Sequence, residues 1–302
     1  RLIAQLWANI GQNHAAAGEY EPAIAQLSRA IRAKHELAPS RSSGTASPDG
    51  LAYALGCRGR VYADIGDFAS ADRDIAAARD IVGGSGRALE GSILAIAAMV
   101  EILRGDWAKC IECASASRKI AEQVNSDYVF ATSSAYLAYA RFISSGSDDA
   151  LHQLQSSIDW LERRGTKLFL SFGYACLATA LVSASDVAAG EIYALRAIER
   201  AAERDRLGEA IAYRVLARLR AVEQAEPDQA GMKVHLVHAE EAARFRQSAR
   251  EVAITRLAFA TLFVELQPSA AGQAADYAHR EFVRLGMQWH AAGARQLLSS
   301  RR

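Results

Sequence analysis

Apolar and small residues recur every three or four positions along the chain, so the sequence reads as a succession of amphipathic helices. The helical runs come in pairs. In the first pair Trp7, Ile10, Gly11 and His14 precede Gly18, Glu19 and Tyr20, and Ala23, Leu27 and Ala30 follow. A second pair keeps that spacing with Leu55, Arg58, Gly59 and Tyr62, then Gly66, Asp67 and Phe68, then Ala71, Ile75 and Ala78. The same glycine, acid and aromatic open a third pair at Gly105, Asp106 and Trp107.

Each position has a mechanical purpose. A large residue followed four positions later by a glycine lets the first helix of a hairpin lie close against the second. Gly18 or Gly66 then ends that first helix in a left-handed conformation that other residues resist. The acid after it sits where the free amides and dipole of the next helix favour negative charge. Ala23 and Ala30, or Ala71 and Ala78, leave room for a neighbour. A hairpin built this way cannot hide its apolar face alone and must stack on the next one.

Self-similarity continues along the chain with a period near 40. Gly105 and Gly146 are 41 residues apart, as are Gly190, Gly231 and Gly272. Seven hairpins result, with turns near residues 18, 66, 105, 146, 185, 227 and 268, followed by a lone capping helix from about Trp289. The segment 38–50, APSRSSGTASPDG, holds two prolines and many small polar residues. It is expected to be a loop between the first two units.

Units 4–37 and 52–82 resemble tetratricopeptide repeats: W..IG..H...GEY..A...L..A and L..RG..Y...GDF..A...I..A. They depart from that family in lacking the proline that closes the second helix, where His35 stands, and in their longer period. The elongated units and the closing phrase EFVRLGMQWHAAGARQLL, 281–298, are similar to the C-terminal helical arrays of large bacterial signalling ATPases, including those joined to nucleotide cyclase or DNA-binding output domains. The resemblance implies an all-α fold: an α-solenoid of about seven TPR-like hairpins wound as one right-handed superhelical domain over 1–302. It also implies that the ATPase core and output domain precede Arg1. The chain begins inside a helical pattern, which supports reading it as part of a longer polypeptide.

Composition narrows the function classes. The 302 residues are 51% hydrophobic and 23% charged, enough to bury a large interior. With 35 basic and 34 acidic residues the net charge is +1, so no global footprint for nucleic acid or an anionic membrane is present. Arg244, Arg246, Arg250 and Arg256 form the densest basic tract, and interleaved Glu240, Glu241 and Glu251 mark it as a solvated helix face. The uncharged run 168–185 is broken by Ser, Gly, Thr and Cys and suits a helix buried on most sides of an array, not a membrane span. Cys57, Cys110, Cys113 and Cys176 sit in apolar helical patterns as reduced, packed thiols, and a cytoplasmic location follows as the default.

Catalytic and metal signatures are weak. Cys110 and Cys113 form a CxxC without a second pair or a nearby histidine. His235, His238 and Glu241 share a helix face but lack the HExxH spacing. No phosphate loop, nucleophile elbow or calcium loop appears. The expectation is therefore no enzyme, no cofactor and no bound metal.

Binding is expected on the surface lined by the first helices of the hairpins, as in TPR-like arrays. The inward positions are Gln5, Asn9 and Gln12 in the first unit and Tyr53, Arg60 and Asp64 in the second. Thr132, Tyr139, Phe172 and Thr179 follow in the middle units, then Tyr213 and Arg220 in the sixth. Aromatics supply contact area while hydroxyls and guanidinium groups fix orientation. This surface suits a peptide or partner domain, including the chain's own ATPase core, in a non-catalytic regulatory module. One alternative is a sensor holding a metabolite among Tyr53, Tyr139 and Tyr213; another is a spacer or dimerisation scaffold.

Overall fold

The computed structural model describes residues 2–37, 49–222 and 227–300. Among them the chain forms fifteen α-helices and no strand. Two compact units emerge, Arg1–Leu103 with Trp107–Thr166 and Arg104–Asp106 with Lys167–Arg302.

The first unit holds α1 (Leu2–Ala16), α2 (Tyr20–Leu37), α3 (Asp49–Ile65), α4 (Phe68–Val82), α5 (Ala88–Arg104), α6 (Trp107–Gln123), α7 (Asp127–Ser145) and α8 (Asp148–Arg163). Hairpin partners α1 and α2, α3 and α4, and α7 and α8 pack together, and stacking between hairpins joins α2 to α3 and α6 to α7. The second unit holds α9 (Leu170–Ser183), α10 (Val187–Ala202), α11 (Glu209–Val222), α12 (Gln229–Phe245), α13 (Ala249–Leu262), α14 (Pro268–Leu285) and α15 (Gln288–Ser299). There α9 packs on α10, α11 on α12 and α13 on α14, while α11 also meets α9 and α10, and α15 rests on α14 and α13. The fold is an all-α solenoid of helical hairpins, with breaks where the repeat spacing places them. The anticipated loop 38–50 is shorter at its end, because Asp49 and Gly50 already belong to α3; residues 38–48 lie outside the described residues.

The glycine-acid signature has a hydrogen-bonding cause. Gly18 (φ 76°) and Gly66 (φ 103°) are left-handed. The next amide reaches back over the helix end, Glu19 N–H to the His14 carbonyl and Asp67 N–H to the Tyr62 carbonyl, both at 2.9 Å. This closes the last turn as a Schellman motif. The Asp67 carboxylate then accepts the Ser70 N–H at 3.0 Å, capping α4. The same closure recurs without glycine, where Ser185 (φ 68°), Arg204 (φ 65°) and Gln247 (φ 56°) occupy the left-handed position. Asp186, Asp205 and Ser248 send the return amide back at 2.9 to 3.0 Å.

Close helix contact explains the other small residues. A Cβ on Gly11 would stand 2.7 Å from Leu27 Cγ, and one on Gly59 would stand 3.2 Å from the Ala71 carbonyl oxygen. Ala23, Ala30, Ala71 and Ala78 are all fully buried. The uncharged run becomes α9, whose buried residues include Phe172, Tyr174, Cys176, Leu177, Leu181 and Val182. Burial on nearly every side accounts for its lack of charge. Among the described residues no helix is long and apolar enough to cross a membrane.

Candidate functional site

The polar positions of α1 and α3 form a bonded group in the first unit. Arg60 donates to the Gln12 side-chain oxygen at 3.2 Å, and the Gln12 amide donates to the Tyr53 hydroxyl. Helical spacing places Gln5, Asn9 and Gln12 on one side of α1. The Gln5 amide donates to Asn9 at 3.1 Å, and the Lys34 ammonium from α2 donates to the Gln5 oxygen at 3.2 Å. Asn9 and Gln5 are exposed, Tyr53 is half-buried, and Gln12 and Arg60 lie deeper. Tyr20 donates from α2 to the buried Asp64 carboxylate, tying the base of the group to the neighbouring hairpin.

Electrostatics keep the group neutral at its aromatic end. Burial, with Cys57 adding to it, pushes the Tyr53 phenol up to about 12. Burial likewise pushes the Cys57 thiol up to about 11. Neither group ionises near neutral pH, so the strip offers hydrogen-bonding dipoles with the positive charge of Arg60 and Lys34 at its margins.

The remaining candidates lie apart from this group. Thr132 is half-buried on α7, with its hydroxyl oxygen lacking a hydrogen-bond partner among the described residues. Tyr139 is buried and meets Trp107 edge-on, ring centroids 6.0 Å apart. Phe172, expected on the groove, is an interior residue of α9, because that helix has no polar side to turn it toward water. The Thr179 hydroxyl turns back to the Ala175 carbonyl at 2.8 Å. In the second unit Tyr213 packs against His238 and His235, at 5.1 and 6.3 Å between ring centroids, and Arg220 pairs with Glu191 at 3.4 Å. Tyr53 and Tyr139 thus belong to one unit and Tyr213 to the other.

No model of a known protein family matches the chain, and no curated protein matches it either.

Among the described residues no group of three or more His, Cys, Asp or Glu side chains is arranged to hold a metal ion. His235 and His238 both lie against the Tyr213 ring, and burial followed by the nearby Arg220 charge lowers the His235 pKa. All four cysteines are buried and none forms a disulfide.

Two features escaped the sequence reading. Arg246 and Arg250, assigned to a solvated face, are 0% and 4% exposed. Glu251, wholly buried, accepts from Arg214 at 2.5 Å on one oxygen and from Arg250 at 2.5 Å on the other. Arg214 also donates to Thr255 at 3.2 Å, and Arg246 donates to the Leu207 carbonyl at 3.1 Å. Burial alone would raise the Glu251 pKa, but Arg214, Arg250 and Arg246 more than offset it and hold the carboxyl well below the usual range. Spacing by one repeat, 41 residues from Arg214 to Thr255, was the available signal, with Glu251 one helical turn before it. The second feature is an open cleft of about 410 Å³ between α12 and α13, lined by apolar Leu236, Val237 and Phe259 and by charged Lys233, Glu240, Glu241, Arg244 and Arg256.

Proposed function

We propose that this chain is a non-catalytic interaction module that binds an extended protein segment along the α1 and α3 face of the first unit and so regulates a signalling output joined to it. The supporting observation is the bonded row of Arg60, Gln12 and Tyr53 beside exposed Asn9, at positions the repeat assigns to the inward side. An extended peptide carries unpaired amides and carbonyls, and a fixed row of amide, phenol and guanidinium groups meets them with little ordering of side chains on binding. The partner is a segment with carbonyl or carboxylate groups for Arg60 and Lys34.

A displayed random-peptide library screened against the folded chain tests this reading. Selected peptides should bind wild type and lose about tenfold or more in affinity to Arg60→Gln or Asn9→Ala, as for removed charged or polar hydrogen bonds. A library that yields no binder, or binders indifferent to both substitutions, contradicts it.

A second reading, a small-molecule sensor, draws on the cleft between α12 and α13, whose 410 Å³ falls among volumes that hold organic ligands. A metabolite panel followed by thermal unfolding separates the two. A ligand at ~100 times its Kd adds about 2.7 kcal/mol of stability, and Arg256→Gln should abolish that shift.

A further inference from the structure

The start of α1 carries an apolar surface that its counterparts in the first unit bury. Aligning Gly18 with Gly66 and Gly11 with Gly59 sets α1 against α3 with an offset of 48 residues, so Ile3 corresponds to Leu51 and Leu6 to Ala54. Ile3 and Leu6 are 63% and 57% exposed, whereas Leu51 and Ala54 are 8% and 0% exposed. Leu51 and Ala54 lie in the core cluster that contains Ala30 and Ile31, the stripe of the preceding hairpin's second helix, α2. Aligning Gly66 with Gly105 carries Ala54 to Ile93 on α5, which is also fully buried in that cluster, together with Ala78 and Val82 of the preceding α4. In both cases the first helix of a hairpin shares a core with the hairpin before it, α3 with Ala30 and Ile31 of α2, and α5 with Ala78 and Val82 of α4 and, through Ile93, with the Gly56 side of α3.

We propose that Leu2, Ile3 and Leu6 form a docking surface for one further helical hairpin placed ahead of α1 in the same polypeptide. Its second helix presents a small-residue and β-branched stripe like that of α2. The surface continues an interface the fold already uses between α2 and α3. A terminal repeat that ends an array carries a polar outer face, since the cap must face water, and α1 carries leucine and isoleucine there.

Charge and spacing limit the footprint. Asn13 is exposed where α3 has buried Val61, so the covering helix engages the first half of α1 and leaves the turn end wet. A second copy is the weaker occupant. Face-to-face pairing would set α1 against α1 with no second helix beside them, whereas α3 and α5 each share a core with the second helix of the hairpin before. Head-to-tail stacking would offer α15, also a first-type helix, and an unclosed heterologous contact of that kind makes filaments.

Thiol labelling reads the surface directly, because all four native cysteines are buried. Leu6→Cys is prepared in the present chain and in a chain extended by the preceding ~40 encoded residues, one repeat; Ala25→Cys, on the exposed side of α2, is the control. Labelling of Leu6→Cys should slow about tenfold or more in the extended chain at every protein concentration, while Ala25→Cys stays fast in both. Leu6→Glu should lower the Tm of the extended chain by several degrees and leave the present chain unchanged. An upstream sequence with no helical hairpin pattern, an unchanged labelling rate, or protection of the present chain that grows with its concentration would each overturn the proposal, the last in favour of a second copy.

Discussion

In the first unit Gln12 accepts from Arg60 and donates to the half-buried Tyr53 phenol, whereas in the second unit Arg214 and Arg250 close on Glu251 in the interior. The two groups use similar residues to different ends. The amide and phenol of the first group are neutral, and half-buried Tyr53 can exchange its partner for a ligand at little cost to folding. A buried carboxylate between guanidinium groups has no such freedom, because removing it strands positive charge away from water. The first arrangement is suited to recognition and the second to holding α11 and α13 in register.

Breaking the buried group has the largest expected effect. Glu251→Ala should lower stability by about 3–5 kcal/mol, read by urea unfolding. A loss under about 1 kcal/mol would mean that water reaches the cluster. Replacing Arg214 by Met and Glu251 by Leu together should recover much of the loss, since an apolar pair strands fewer charges.

Acid separates the same cluster from the rest of the chain. Burial, then the Arg250 charge, drives the His290 pKa down to about 3 against an ordinary value of 6.5. The unfolded chain therefore binds this proton first, so stability falls as pH drops below about 6.5 and is fully restored above it. Between pH 6 and 5 the unfolding constant should rise by up to roughly tenfold per unit, and His290→Gln should flatten that slope. Glu251 contributes in the same direction only at lower pH, below the ordinary carboxylate range.

The architecture was legible where one physical demand selects one residue type. Gly11 and Gly59 announce close helix contact, and Gly18 and Gly66 announce left-handed turns, because a side chain is excluded or strained there. Beyond them the turn is held by the returning amide, and Ser185, Arg204 and Gln247 tolerate the left-handed conformation at a cost the hydrogen bond offsets. The motif persists after its signature is gone. Site residues were harder to read. Gln12, Tyr53 and Arg60 came together, with Asn9 on the same side of α1, because both their hairpins keep the full repeat, while Phe172 fell in a helix buried on nearly every side, where periodicity cannot tell groove from core. Arg246 and Arg250 look in sequence like their exposed neighbour Arg244, and only the Leu207 carbonyl that meets Arg246 and the Glu251 carboxylate that meets Arg250 distinguish them.

Smaller effects sharpen the contrast. Gln12→Ala should cost about 1–3 kcal/mol in unfolding experiments, since it takes an acceptor from the buried Arg60 while half-buried Tyr53 can still reach water. Ser185→Gly should stabilise the α9 to α10 turn by about 0.5–1 kcal/mol by relieving a left-handed serine, and Gly66→Ala should have the opposite sign. Equal and negligible shifts for both would show that the returning amide alone sets the turn.

The most direct test of the α1 and α3 recognition face, set against the α12–α13 cleft, is fluorescence anisotropy of one library-selected peptide. It is titrated against wild type, the double variant Asn9→Ala with Arg60→Gln, and Arg244→Gln in the second unit, each first shown to be folded. The account predicts at least about tenfold weaker binding for the double variant and unchanged binding for Arg244→Gln. Equal affinity for wild type and the double variant, or a loss confined to Arg244→Gln, would contradict it.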